Sequence, residues 1–453
     1  MMLPNYFLAD LPPEATLAPD MLAEACLTLR RNRERYLAPR PTARLVSLLA
    51  ELGENWLQAD YPFRLLAMEQ GPAALGFPPP TLARGLDAFF RQLTAENLHA
   101  LLIQDLGHAG RLDAFQVSAE DARSGRAALA VGPELLCHIT AGNLPVGALH
   151  SLVLGLLVRS AQFVKCARGQ ALLPRLFAHS IYEADPKLGA CLEIAEWPGG
   201  SAALEDAVFA AADCVTATGS DETLAALRPR VPAQARFLGY GHRVSFAYVC
   251  AEMLDGFNAR KCAQRAAADI AAWNQLGCLS PHIVYVERRG ALLPEEFANL
   301  LAQEFEKLEA TEPRGPLAVA EAAAIASRRG FYEVRAAHSP ETQLWASGDS
   351  TAWTVVYEAE PQFQASCLNR FAYVKGVEGV EPLLAAVDAV RGKVSTVGLA
   401  APPERAAGIA ATLARWGVTR ICPLGRMQEP PLAWRHDGRP SLGDLVTWAD
   451  WES

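Results

Sequence analysis

Residues 135–167 read LLCHITAGNLPVGALHSLVLGLLVRSAQFVKCA. A short apolar run (135–140) is followed by a turn holding Gly142 and Pro145. An apolar stretch from 146 to 158 comes next, then a second short run (162–167). Short apolar runs bounded by turn signals read as buried strands, and the longer stretch reads as a helix buried nearly all round. Strand, helix and strand in this order make the repeating unit of a parallel, doubly wound sheet. Outward from this unit the alternation continues. A strand is predicted at 213–217, and another from 244 to 250, where Val244, Phe246, Tyr248 and Cys250 alternate with smaller residues. An Ala-rich helix at 263–273 leads to a strand at 282–287. A second α/β unit runs through strands at 354–357 and 395–400, a helix at 404–416 and a strand at 419–423. The first hundred residues read as helices. Leu45, Leu48, Leu49, Leu52 and Trp56 recur at helical spacing in 41–58, as do Leu82, Leu86, Phe89, Phe90 and Leu93 in 81–93. The stretch 71–80, with four prolines, is expected to separate these two helices. The main boundary is placed at residues 239–241.

The chain has 453 residues, 51% of them hydrophobic and 20% charged, enough for a sizeable core and too little charge for a disordered protein. With 41 basic and 50 acidic residues the net charge is −9, which argues against a general nucleic-acid binder. The ten cysteines form no C-x-x-C pair and no zinc-binding spacing, so free thiols in a reducing cytoplasm and no metal are expected. The first residues show no positive segment followed by an apolar core, so secretion is not expected. The longest apolar run, 146–158, contains His150 and is short of the ~18–20 residues that span a bilayer. A cytoplasmic enzyme with no membrane span is the expectation.

Four segments offer chemistry. In Asn274-Gln275-Leu276-Gly277-Cys278-Leu279-Ser280-Pro281 a cysteine lies between a helix and a strand, where its sulfur can be exposed and attack a carbonyl. A small buried hydrophobe is the other reading. The amide of Asn143, in Thr140-Ala141-Gly142-Asn143-Leu144-Pro145, can donate to a developing oxyanion or simply cap the next helix. Gly219-Ser220, after the strand at 213–217, is a setting for a phosphate or an ordinary serine cap backed by Asp221 and Glu222. Lys165 ends a strand, where an open α/β sheet binds ligands, and Arg168 adds a second cation; both could also be solvated charges. A basic residue at this strand end suits the 2′-phosphate of NADP, as an acidic one suits NAD. His242 and His282 flank the cysteine in sequence and read either as structural histidines or as part of a Cys–His pair.

The order of these signals carries more than each alone. Asn143 and Lys165 are 22 residues apart, and Ser220 and Cys278 are 58 apart. This arrangement resembles the aldehyde dehydrogenase superfamily, and within it the LuxC-type acyl-CoA (fatty acid) reductases. The tail is the most specific part of the resemblance: Pro423-Leu424-Gly425-Arg426-Met427, Trp434-Arg435-His436-Asp437-Gly438, Leu442, Leu445 and Trp448-Ala449-Asp450-Trp451-Glu452. The resemblance implies an aldehyde-dehydrogenase-like fold of two doubly wound α/β domains with an N-terminal helical segment and a small oligomerisation arm. The division expected is 1–240 for the helices and the nucleotide-binding domain, 241–425 for the catalytic domain and 426–453 for a returning segment. The arm would be drawn from 115–130 and the tail, giving a homo-oligomer. It further implies reduction of an acyl thioester, carried on coenzyme A or a carrier protein, to an aldehyde through an acyl-Cys278 intermediate. In these roles Asn143 would serve the oxyanion, and Lys165, Arg168, Gly219 and Ser220 would hold NADPH. An acyl-transferring or acyl-activating partner is also implied. One departure matters. Hydrolytic members carry Glu-Leu-Gly-Gly, whose glutamate activates water, and Arg236-Phe237-Leu238-Gly239-Tyr240-Gly241 stands here without a carboxylate. That favours reduction over the alternative of aldehyde oxidation at the same site. A non-catalytic acyl-binding subunit is the alternative from a different class.

Overall fold

The computed structural model describes residues 3–12, 14–117 and 125–452. They divide into two compact units, Met1–Leu75 with Ala83–Gly241 and Pro431–Ser453, and Gly76–Leu82 with His242–Pro430.

In the first unit the chain forms β1 (Arg126–Val131), β2 (Leu135–Ile139), β3 (Ala161–Cys166), β4 (Leu192–Glu196), β5 (Cys214–Thr218) and β6 (Arg236–Tyr240). Strands β2 to β6 make a five-stranded, wholly parallel sheet in the order β4-β3-β2-β5-β6. The chain winds outward from β2 through β3 to β4, then returns to the other side of β2 for β5 and β6. This reversal creates a switch point beyond the carboxyl ends of β2 and β5. Helix Gly147–Leu157 links β2 to β3 and buries Leu149, Leu152, Val153, Leu156 and Leu157, each worth roughly 1.5–3 kcal/mol of burial. Helix Pro19–Asn32 brings Leu22, Cys26 and Leu29 into the same core as Phe163, Trp197 and Phe209.

The helices expected near the N-terminus are present as Thr42–Leu57 and Pro79–Phe90. The expectation that 71–80 merely separates them is corrected. A further helix, Pro62–Leu75, runs through Gly71 with Pro72 inside it, and Pro79 begins the next helix. Burial of Phe63, Leu66, Ala67 and Leu75 outweighs the hydrogen bond that Pro72 removes, and a proline at a first helical position costs nothing.

The second unit contributes β7 (Val244–Val249), β8 (Pro281–Glu287), β9 (Thr342–Ala346), β10 (Thr354–Glu358), β11 (Phe371–Val377), β12 (Val394–Ala400) and β13 (Arg420–Pro423). They form one sheet in the order β13-β12-β7-β8-β11-β10-β9, parallel except for β9 against β10. Its two faces are both buried, as parallel sheets require. Ala263, Ile270, Phe297, Leu301 and Phe305 cover one face, and Ile325, Tyr332, Ile409 and Leu413 cover the other.

The chain then returns to the first unit, where β14 (Thr447–Glu452) pairs antiparallel with β1, Arg126 opposite Glu452 and Val131 opposite Thr447. Of the expected arm at 115–130, residues 118–124 lie outside the described residues. None of the ten cysteines is in a disulfide. Among the described residues no helix is long and apolar enough to cross a membrane.

Candidate active site

In the first unit the predicted residues collect along one edge of the parallel sheet. Asn143 follows β2, Lys165 and Arg168 lie at the end of β3, and Gly219-Ser220 follows β5. These are the carboxyl ends flanking the switch point, where an open α/β sheet accepts a dinucleotide. Lys165 is only 5% exposed, and its ammonium lies over the Trp197 ring, 5.9 Å from the centroid. Burial holds its pKa below the ordinary lysine value, with Glu205, Cys166 and Glu196 pulling the other way. The indole N–H of Trp197 is buried and finds no acceptor among the described residues. A buried ammonium beside an unanswered N–H donor fits an acceptor-rich ligand such as a ribose or phosphate. Arg168 is exposed in the turn after β3. That turn is closed by Glu196, whose carboxylate accepts the N–H groups of Gly169 (2.7 Å) and Ala171 (3.2 Å).

Ser220 caps helix Asp221–Leu227, its Oγ accepting the N–H of Thr223 at 3.2 Å, with Asp221 and Glu222 in the first turn. The capping role left open in the sequence is therefore filled by Ser220. It is not filled by Asn143: helix Gly147–Leu157 is preceded by Val146 as its cap, three residues on, and Asn143 is exposed.

Beneath this edge a buried polar chain ties three strands to the helix that follows Asn143. His138 Nδ1 meets Thr216 Oγ1 at 2.6 Å, and Nε2 meets Gln162 Oε1 at 2.9 Å. Gln162 Nε2 donates in turn to the Leu152 carbonyl at 3.0 Å. Since Oε1 of Gln162 only accepts, His138 carries its proton on Nε2 and accepts from the Thr216 hydroxyl. Burial pushes the His138 pKa down to about 4, so the ring is neutral.

Residues Arg236–Tyr240, which carry no carboxylate, form β6. Arg236 donates to the carbonyls of Asp444 (2.6 Å) and Val446 (2.9 Å). Tyr240 stacks on His436 with ring centroids 4.7 Å apart. The returning chain thus braces β6, with His436 of the segment 434–438 stacked against it. Asp221 also packs here: a methyl group on Gly241 would meet its Oδ1 at 2.5 Å.

In the second unit Cys278 lies in the connection between Ala272–Gln275 and β8 and is half-buried. Seven of the ten cysteines are buried. Burial raises the thiols of Cys166, Cys214 and Cys250 to about 12, which keeps them protonated and inert. The connection carrying Cys278 is strained and tightly held. Trp273, Asn274 and Gln275 have φ of 50°, 51° and 65°, and Leu368, Asn369 and Arg370 before β11 have φ of 62°, 56° and 64°. Consecutive left-handed residues cost roughly 1–2 kcal/mol each, and such strain persists only where the surroundings over-determine it. Here they do. Asn369 N donates to the Asn274 carbonyl at 3.0 Å. The buried Gln275 amide donates to the carbonyls of Pro281 (2.9 Å) and Phe371 (3.0 Å) and accepts from the Phe371 N–H (2.9 Å). Ser245 Oγ, from β7, donates to the Cys278 carbonyl at 2.7 Å. Gln275 and Ser245 were not singled out by the sequence reading; a glutamine three residues before the cysteine was the one visible signal.

His282 takes the structural reading. Its Nδ1 accepts from the Ser366 N–H at 3.1 Å, and burial, with His242 nearby, pushes its pKa down to about 4.

Known proteins match this chain in sequence and fold. A family model described as acyl-CoA reductase (LuxC) matches residues 37–448. The long-chain acyl-protein thioester reductase of Aliivibrio fischeri is 24% identical over 418 residues, covering 90% of this chain and 82% of that protein. Long-chain acyl-protein thioester reductase 2 of Photobacterium leiognathi is 22% identical over the same length and coverage. Among solved structures, an NAD-dependent benzaldehyde dehydrogenase from Corynebacterium glutamicum superposes with a TM-score of 0.73 at 13% identity, covering 97% of this chain and 90% of that one. A bifunctional proline utilization A protein gives 0.73 at 16% identity, with this chain spanning 45% of its length. At such identities the structures establish the aldehyde-dehydrogenase-like fold. With most of its length matched by the family model, the chain belongs to the acyl-CoA reductase (LuxC) family.

Proposed function

We propose that this chain reduces an acyl thioester to an aldehyde with NADPH, through an acyl group carried on Cys278. The observation that carries the assignment is a half-exposed cysteine on a rigidly held loop in a chain of this family. The Cys278 thiolate attacks the thioester carbonyl, and the carbon–sulfur bond to the carrier breaks. The carrier leaves as a thiolate, which needs no general acid. The amide of Asn143 and a backbone N–H near Cys278 stabilise the oxyanion, a donor of this kind being worth ~3–4 kcal/mol of barrier. NADPH, when bound, supplies the hydride that reduces the acyl carbon. The tetrahedral oxyanion so formed on Cys278 collapses, the bond from carbon to the cysteine sulfur breaks, and the aldehyde leaves as the thiolate is restored. Lys165 and Arg168 hold the adenosine end of the cofactor, and Ser220 with the backbone beside it faces the pyrophosphate. Arg168 is the ground for NADPH over NADH. The β1–β14 ribbon is the proposed oligomerisation arm, an acyl-transferring protein the proposed partner, and the cytoplasm, which suits ten cysteines outside any disulfide, the proposed compartment.

The test mixes the protein with NADPH and acyl-CoA or acyl-protein thioesters of increasing chain length. Cofactor absorbance is followed while aldehyde is trapped. NADPH consumption matched by aldehyde is expected for the wild type, and loss of both in Cys278→Ala. Aldehyde formation that survives in Cys278→Ala would overturn the mechanism. The relatives' names make long-chain acyl groups the first to try.

A further inference from the structure

The segment Pro423-Leu424-Gly425-Arg426-Met427 has no part in the chemistry above. It leaves β13 as a tight turn with Gly425 at φ 91°. Two buried groups of opposite charge grip it. The Asp269 carboxylate, on helix Gly256–Ala271, accepts the N–H groups of Gly425 (2.6 Å) and Met427 (3.0 Å). The Arg420 guanidinium donates to the carbonyls of Met427 (2.6 Å) and Arg426 (2.8 Å). Both side chains are over nine-tenths buried. A buried carboxylate and a buried guanidinium are a costly way to hold one turn, since each must be withdrawn from water. A cap of serine or asparagine would suffice for a turn with nothing further to do.

The turn is connected to the cysteine. Gln428, the next residue, donates through Nε2 to the Asp269 carbonyl (3.2 Å) and to Ser280 Oγ (3.0 Å). Ser280 is buried, stands two residues after Cys278, and its N–H closes the cysteine turn on the Gly277 carbonyl at 2.9 Å. Ser245 holds the same turn through the Cys278 carbonyl. We propose that Asp269 and Arg420, acting through Gln428 and Ser280, are positioning residues that set the placement of the Cys278 sulfur for attack. The proposal rests on the reading of Cys278 as the nucleophile. Attack demands near-contact geometry, and small misplacements from outside the reacting groups cost large factors in rate. That gives the turn's two buried charges a function.

The test uses the full chain with hexadecanoyl-CoA and no NADPH, so that only acylation is followed, by rapid quench and intact mass. Gln428→Ala and Ser280→Ala each remove one side of the link and leave Asp269 and Arg420 with their hold on the turn. Each is expected to slow acylation about tenfold, with the thioester concentration at half-maximal rate within about twofold of wild type. The double variant is expected to be no slower than either single one, because both break the same bond. Alkylation of Cys278 by iodoacetamide should stay within about twofold of wild type, since the thiol remains exposed and the protein folded. Wild-type acylation in both single variants, or losses that multiply in the double variant, would overturn the proposal alone. Acylation that persists in Cys278→Ala would overturn the reading of the nucleophile and this proposal with it.

Discussion

Arg168 stands three residues beyond Lys165, on the exposed turn that leaves β3. The nearby acid, Glu196, is occupied with the Gly169 and Ala171 N–H groups and shapes the turn that presents Arg168. An acid so engaged is poorly placed to take a ribose hydroxyl, and an exposed guanidinium beside it suits a phosphate. Charge-assisted contacts of this kind are worth about 1.5–3 kcal/mol, or roughly ten- to a hundredfold in affinity. Arg168→Glu is therefore expected to lower kcat/KM for NADPH by about that factor and to leave NADH equal or better. Initial rates with both cofactors measure the ratio, and an unchanged ratio would remove Arg168 from the cofactor site. Lys165, buried against Trp197, is the poorer probe, since replacing it also disturbs the core of the sheet.

At the scale of elements, strands β2, β3, β5, β7, β8, β10, β12 and β13 were legible as short runs between turns and helices. β4, β6 and β11 were not. In β11 the run is broken by Lys375 and Gly376, yet Lys375 is buried: its ammonium meets Glu358 at 3.4 Å and donates to the Gln362 carbonyl at 2.8 Å. A charge paired inside a sheet cannot be told from a solvated one in sequence. Glycine in helix Gly147–Leu157 is the opposite case, unremarkable in sequence and demanding in space. A methyl group on Gly155 would lie 2.2 Å from Gln162 Cδ, and Gln162 cannot move without releasing His138 and the Leu152 carbonyl. Overpacking of this kind costs about 1–3 kcal/mol. Gly155→Ala is expected to lower the urea midpoint accordingly. Gly147→Ala meets nothing within 4 Å and should be neutral or stabilising by up to about 1 kcal/mol. Equal midpoints for the two variants would show that the helix does not sit on Gln162 as drawn.

Across the whole molecule, the candidate residues of the first unit were legible because they sit in turns after strands, where glycine, serine and asparagine announce the backbone. The hold on Cys278 was not. Trp273, Leu368 and Arg370 are residue types that argue against a left-handed backbone, and only Asn274 and Asn369 tolerate it readily. Burial makes a further demand that spans both units, and it sets the pH dependence of stability. His138, His150 and His282 are each pushed down to about 4 from 6.5. As pH falls below 6.5 the unfolded chain takes up these protons and the folded one does not, so stability is lost down to about pH 4. Glu193 and Asp269 act in the opposite sense. Burial raises both to about 7, so their contribution is present in acid and lost as pH rises toward 7. The two trends overlap, and a plain pH profile would mix them. His138→Gln separates them, because it removes one titrating ring while keeping an amide able to meet Thr216 and Gln162. Wild type should lose about 2 kcal/mol relative to this variant between pH 7.5 and pH 5.0. Urea unfolding of both proteins at the two pH values gives the difference. A gap that stays constant would mean that the His138 ring carries a proton within the fold, contrary to the neutral, Nε2-protonated ring that its partners require.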